Sequence, residues 1–284
     1  MQKTLAAEAE INGIGLHSGK ETKLTVKPAP ADHKIVFVRS DLPQKNFFPA
    51  LYNHVADTRN CTCLGDSSGQ IVSTIEHIMA ALYAVGIDNA VVEVDGPEVP
   101  IMDGSAIQFW KLLKKAGTVD LPAKRKYLRV LKKISFDDGK GAEITLSPAD
   151  ELVMRSVIDF PSKIVGHQEF EKSFDEDVFA SEIAPARTFC EKYQVDYLRS
   201  VGLIQGGSLD NAVVLDGETI LNEGGFRVEN ECVKHKMLDC IGDMYTSGYR
   251  MLARVDAFHS GHFHNNEILK KLFSDEDNYT LVEE

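Results

Sequence analysis

Two separated stretches of the chain carry side chains whose types and spacing suit a metal ion: Ser73-Thr74-Ile75-Glu76-His77 and His235-Lys236-Met237-Leu238-Asp239-Cys240-Ile241-Gly242-Asp243. Four residues apart, His235 and Asp239 stand one above the other on a helical face and can share one ion. Asp243 extends that line by another turn. With His77 they make two imidazoles and one carboxylate, a set that leaves the fourth position of a tetrahedral zinc open for water and lowers that water's pKa to about 7. Glu76, next to His77, suits the general base that takes the remaining proton. Its competing role is the glutamate of a Ser73-x-x-Glu76 capping box. Hydrolysis also needs a proton for the leaving group, and Phe258-His259-Ser260-Gly261-His262-Phe263-His264-Asn265-Asn266 offers three histidines on a glycine loop. Their HxxHxH spacing suits either a further metal site or solvated surface. A histidine paired with the free helical carboxylate of Asp243 would be held in its protonated form.

The elements that must position these groups follow from the hydrophobic periodicity. Val233, Met237, Ile241 and Tyr245 form an apolar line two residues out of phase with the His235–Asp239–Asp243 line, and the small Cys240 and Gly242 interrupt the polar side, so a helix over 231–247 is expected to be buried on both sides. His77 shares a small-residue face with Ala80, Ala81 and Ala84, while Ile75, Ile78, Met79 and Leu82 supply a core stripe. A helix is expected at about 74–85. Residues 1–60 read as strands, Val91–Val94 as another strand and Ser105–Ala116 as a second helix. Thr118 to Lys126, with Pro122 and a Lys-Arg-Lys run, is the expected linker. Beyond it the order repeats: strands at about 127–160, a helix near 175–182, strands around Val213 and Ile220, the 231–247 helix, a strand at 251–258 and a helix at 265–273. The pattern predicts an α+β chain of two similar domains, 1–120 and 127–284, each with sheets and two helices.

A length of 284 residues and 43% hydrophobic content suffice for two cores. No apolar run reaches the ~18 residues that span a bilayer, and Met1-Gln2-Lys3-Thr4 lacks the features of a signal peptide, so a cytoplasmic location is expected. Five cysteines without CxxC spacing read as reduced thiols. A net charge of −12 disfavours nucleic acid as a partner. An anionic ligand would need a local basic spot, for which Lys234, Lys236 and Arg227 are candidates.

The motifs Ile14-Gly15-Leu16-His17-Ser18-Gly19, Ser73-Thr74-Ile75-Glu76-His77, Gly86-Ile87-Asp88-Asn89, Pro100-Ile101-Met102-Asp103-Gly104-Ser105, Ala186-Arg187-Thr188-Phe189, Gly206-Gly207-Ser208, the 235–243 stretch and Ser260-Gly261-His262 closely resemble, in the same order, the bacterial UDP-3-O-acyl-N-acetylglucosamine deacetylases of lipid A biosynthesis. The resemblance implies one catalytic zinc on His77, His235 and Asp239, with Glu76 as general base and His262 as general acid or electrostatic partner oriented by Asp243. It implies an oxyanion role for Thr188, and substrate contacts for Lys236, Phe189, Leu16, Ile204, Gly207 and Ser208. The implied fold places the helices between two sheets, with the metal where two domains meet.

The resemblance also implies a hydrophobic passage walled by the segment from Tyr193 to Asn211. There Ile204, Gly207 and Ser208 are expected to face the ligand and most of the other apolar residues to fill the core. His259 stands where relatives often have lysine, and His264 is an additional histidine. Cys61 and Cys63 fall in a loop resembling one near the metal, where thiols could take a second, inhibitory zinc. The chain is expected to be a monomer without a long extension after its last helix. Two other functions stay open at this point: a zinc amidase with a different substrate, and a catalytically silent relative that binds a nucleotide sugar.

Overall fold

A computed structural model describes residues 1–44 and 46–283. The first half contains β1 (Lys3–Leu5), β2 (Ala9–Ile14), β3 (Glu21–Pro28), β4 (Ile35–Arg39), β5 (Asn46–Pro49), β6 (Val55–Asp57), β7 (Cys63–Gly65), β8 (Ile71–Val72), α1 (Glu76–Val85), β9 (Ala90–Val94), α2 (Ile107–Ala116) and β10 (Thr118–Asp120). The second contains β11 (Lys126–Val130), β12 (Ile134–Asp137), β13 (Glu143–Pro148), β14 (Leu152–Asp159), β15 (His167–Ser173), α3 (Glu176–Val178), β16 (Phe189–Glu191), α4 (Lys192–Ser200), β17 (Val213–Asp216), β18 (Thr219–Ile220), α5 (Glu231–Tyr245), β19 (Arg250–Phe258), α6 (His262–Phe273) and β20 (Tyr279–Glu283).

Each half owns one large sheet. In the first, five strands run in the order β2-β3-β9-β4-β5. In the second, β19 is the hub of seven strands: β13 lies antiparallel on one side, while β11 and β14 run parallel to it along its two ends on the other. Helix α2 packs on β2, α5 on β14 and β15, and α6 on β12 and β13. Helix α1 lies along α5, and one apolar core runs from Leu24, Val26 and Phe37 through Ile78, Met79 and Leu82 to Ile144 and Val255. Helices α1, α2, α5 and α6 thus sit between the two large sheets, as the family resemblance implies. Burial of a side chain such as Ile78 or Leu82 contributes roughly 1.5–3 kcal/mol, enough to fix the helix despite a length of only ten residues. Gly86, left-handed at φ 80°, terminates α1.

Several elements differ from expectation. Residues 118–120 of the expected linker form β10, which pairs antiparallel with β1 and so ties the start of the chain to the crossover between halves. The helix near 175–182 is a single α turn followed by a π turn over Phe179–Ile183. Beyond its two long helices the second half carries α4, which crosses over between the parallel strands β16 and β17. Helix α6 begins at His262, three residues earlier than its apolar pattern suggests, because Gly261 caps it and His264 reaches back to the Gly261 N–H at 3.3 Å.

Candidate active site

Close contact between α1 and α5 joins the two motifs. At Gly242 any side chain would run into the backbone carbonyl of Glu76, so glycine lets the helices approach closely enough for their polar faces to meet. The Nε2 atoms of His77 and His235 lie 3.5 Å and 3.4 Å from Asp239 Oδ1, and all three residues are buried. Their ligand atoms fall within 4.8 Å of one another, the sole His/Cys/Asp/Glu group of that kind among the described residues.

Three observations suit this set to a cation. His235 shares its Nδ1 with the Ala186 carbonyl at 3.0 Å, leaving Nε2 to face the cluster. Burial, opposed by Asp239, drives the His235 pKa down to about 3, so the ring is neutral and its lone pair is available. Asp239 Oδ1 is buried without a hydrogen-bond donor, a costly state unless a cation satisfies it. Its other oxygen accepts from Lys236 Nζ at 2.8 Å. Although burial opposes ionisation, His235, Lys236 and His77 together hold the Asp239 carboxyl well below its usual range.

Beside this cluster is an acid–base set. Glu76 is buried, and its Oε1 lies 3.9 Å from His262 Nε2. The other ring nitrogen of His262 sits 2.8 Å from Asp243 Oδ2, which also accepts from Asn265 Nδ2 at 2.8 Å. Burial works against the His262 charge, but Asp243 and Glu76 outweigh it and raise the pKa to about 9. The Glu76 carboxyl is raised above its ordinary value by burial, with His262 and His77 opposing. Glu76 is not part of a capping box: the Ser73 hydroxyl donates to the Pro97 carbonyl, and Ile75 at the N-cap makes no side-chain bond. The partner of Glu76 is the backbone N–H of Thr62, at 3.0 Å from Oε2.

A cavity of about 810 Å³ opens onto both sets, and Leu16, Thr188, Phe189, Ile204, Gly207, Ser208 and Lys236 all line it. Its apolar walls continue through Val195, Leu198, Leu209 and Val214. The expectation that most apolar residues of the Tyr193–Asn211 segment fill the core is wrong. No residue of α4 is buried, and Tyr193 and Tyr197 are 77% and 66% exposed. Ile204, a β-branched residue at φ 48°, is a real backbone outlier, costing about 1–3 kcal/mol. The surrounding loop holds it there. Gln205 and Gly206 donate to the carbonyls of His17 and Leu16, and a Cβ at Gly206 would collide with the Gly15 carbonyl.

Of the expected basic spot only Lys236 reaches the cavity. Lys234 is paired with Glu182 at 2.9 Å, and Arg227 with Asp103 at 2.6 Å. His259 lines the cavity with its ring against Phe258, and His264 lies 3.3 Å from Asp138. These histidines do not gather into a second metal group, nor do Cys61 and Cys63, whose buried thiols are pushed up in pKa by burial and by nearby carboxylates. Thr62, Asn265 and His17 also contribute to this region, and pattern reading had given them no role. His17 lies in a quoted motif and lines the cavity, its Nδ1 3.4 Å from the Ile204 N–H.

Two imidazoles beside a carboxylate with an orphaned oxygen, next to Glu76 and the His262–Asp243 pair on an α+β scaffold, are the residue types that a metal-assisted hydrolase would use. The family model for UDP-3-O-acyl N-acetylglycosamine deacetylase, LpxC, matches residues 2–274, and this chain belongs to that family. Among curated relatives, the UDP-3-O-acyl-N-acetylglucosamine deacetylase of Pasteurella multocida (strain Pm70) is 43% identical over 284 residues, covering 99% of this chain and 92% of the relative. The protein of the same name from Haemophilus influenzae (strain PittEE) is 42% identical with the same coverage.

Proposed function

We propose that this chain removes the N-acetyl group of UDP-3-O-acyl-N-acetylglucosamine by hydrolysis, releasing acetate in an early committed step of lipid A biosynthesis. The observation that carries the reading is the single cavity that joins the cation-suited cluster, the Glu76–His262 pair and an apolar wall. The names of the relatives agree with it. His77, His235 and Asp239 would hold one zinc, which supplies Lewis acidity toward a carbonyl and acidifies water.

The remaining chemistry belongs to the chain. Glu76 takes a proton from water as its oxygen adds to the acetyl carbon, and the Thr188 hydroxyl, at the cavity wall, donates to the developing oxyanion. The C–N bond then breaks, and His262 delivers a proton to the departing nitrogen. Asp243 keeps the imidazole charged and fixes its orientation through Nδ1. Lys236 would meet the polar part of the substrate, with Leu16 and Phe189 beside it. Ile204, Gly207 and Ser208 would border the acyl chain, each buried methylene of which contributes about 0.8 kcal/mol. We place the reaction in the cytoplasm, in line with five free thiols. Among the described residues no helix is long and apolar enough to cross a membrane.

The direct test is acetate release from UDP-3-O-acyl-N-acetylglucosamine, measured with and without a chelator. Turnover that the chelator abolishes and added zinc restores is the expected result. No turnover on this substrate, with hydrolysis of another amide, would replace the substrate and keep the chemistry. A second expectation concerns pH. The acid form of His262 exists below its raised pKa and disappears as pH climbs through about 9, so the rate should fall on that alkaline side. The residual rate of His262→Ala should lack this limb. An unchanged limb would transfer the proton-donor role to another group, the candidates being His259 and His264, which also line the cavity.

A further inference from the structure

Thr62 stands immediately before β7, in the hairpin that β6 and β7 form above the first half, and it is only 2% exposed. Every polar group it owns is directed at the acid–base set or at the start of α1. Its carbonyl accepts from the Ile75 N–H at 3.3 Å, and its N–H donates to Glu76 Oε2 at 3.0 Å. Its hydroxyl lies 2.6 Å from Asp243 Oδ1 and 3.3 Å from His262 Nδ1.

A hydroxyl has one proton to give. The shorter contact to an acceptor-only carboxylate takes it, which leaves the hydroxyl oxygen lone pairs turned toward the His262 N–H. Asp243 is then pinned at both ends: Oδ1 receives Thr62, while Oδ2 receives His262 and Asn265. Rotation of the carboxylate would break all three bonds. One residue of the first half therefore sets the carboxylate of Glu76, also in the first half, against an Asp–His pair carried on α5 and α6 of the second. The remaining Glu76 oxygen is left facing His262 Nε2 at 3.9 Å.

We propose that Thr62 is a positioning residue that holds the general base and the Asp243–His262 pair in register across the cleft. The proposal rests on the acid–base roles argued above. Thr62→Val is the informative variant: it keeps the shape and both backbone bonds and removes only the hydroxyl. It should lower kcat by roughly 10- to 100-fold, the scale of a small misplacement of reacting groups, with KM within about twofold and zinc content unchanged. Thr62→Ser, which restores the hydroxyl, should recover most of the rate. In parallel, the ring Nδ1 proton of His262, assigned by its absence in His262→Ala, should give a low-field proton resonance that shifts or broadens in Thr62→Val and returns in Thr62→Ser.

Parental kcat in Thr62→Val would overturn the proposal. So would simultaneous loss of zinc and activity, because the residue would then be holding the fold, and so would a serine variant as impaired as the valine one. A parent inactive on the proposed substrate would sink the functional reading alone. The resonance would still decide whether Thr62 orders the Asp243–His262 pair, an unmoved signal rejecting it.

Discussion

Alanine at His77, at His235 or at Asp239 will strip the metal from the chain, with the parent holding one zinc and each variant near background by elemental analysis. Loss of a ligand should exceed the roughly 10–100-fold drop in metal affinity that follows loss of an outer partner alone. The three variants should nevertheless differ in stability. His235→Ala leaves the Ala186 carbonyl without its ring partner, while Asp239→Ala removes the acceptor of Lys236 Nζ, whose side chain is only 26% exposed. A partly buried ammonium left unpaired is destabilising, so Asp239→Asn is the control that keeps volume and part of the hydrogen bonding. Full zinc occupancy in all three alanine variants would overturn the assignment, whatever happens to their activity.

Helix-borne parts of the site were legible because helical spacing converts directly into geometry. His235, Asp239 and Asp243 had to share a face, and the small Cys240 and Gly242 beside them left room for another element to cover it, as α1 does at Gly242. What escaped sequence reasoning depends on contacts remote along the chain. Thr62 bonds to groups 14, 181 and 200 positions away, and nothing in its neighbours Cys61 and Cys63 signals this.

The capping-box reading of Ser73 and Glu76 failed for the same reason. Ser73 is drawn into a bridge beside Glu98 and bonded to Pro97, and Thr74 takes φ 60°, so the local pattern loses to tertiary pairing. Helix α4 was missed because it is short and mostly polar: the sequence KYQVDYLRS gives too few apolar positions for a helical period to stand out. Arg227 and Lys234 looked available for an anion until the fold supplied Asp103 and Glu182. Charge in a sequence gives the number of cations, whereas their freedom depends on which carboxylates the fold brings near.

Glu76→Gln tests the other half of the chemistry and should lower kcat by roughly 10²–10⁴ with zinc content unchanged. The substitution is clean in this structure. The structural bond of Glu76 is the one it accepts from the Thr62 N–H, and a glutamine carbonyl accepts that bond equally well, whereas an amide cannot take a proton from water. Any cost to the fold should therefore be small, and a thermal melt of the zinc-loaded variant close to that of the parent checks this. Because burial raises the Glu76 carboxyl above its ordinary value, the base form should be lost as pH falls through a point higher than for an exposed glutamate. The parent should show that acid limb, and the residual activity of Glu76→Gln should not. A glutamine variant with near-parental kcat would show that Glu76 only organises the Thr62 hairpin over α1, and the base would then have to be sought elsewhere on the cavity wall.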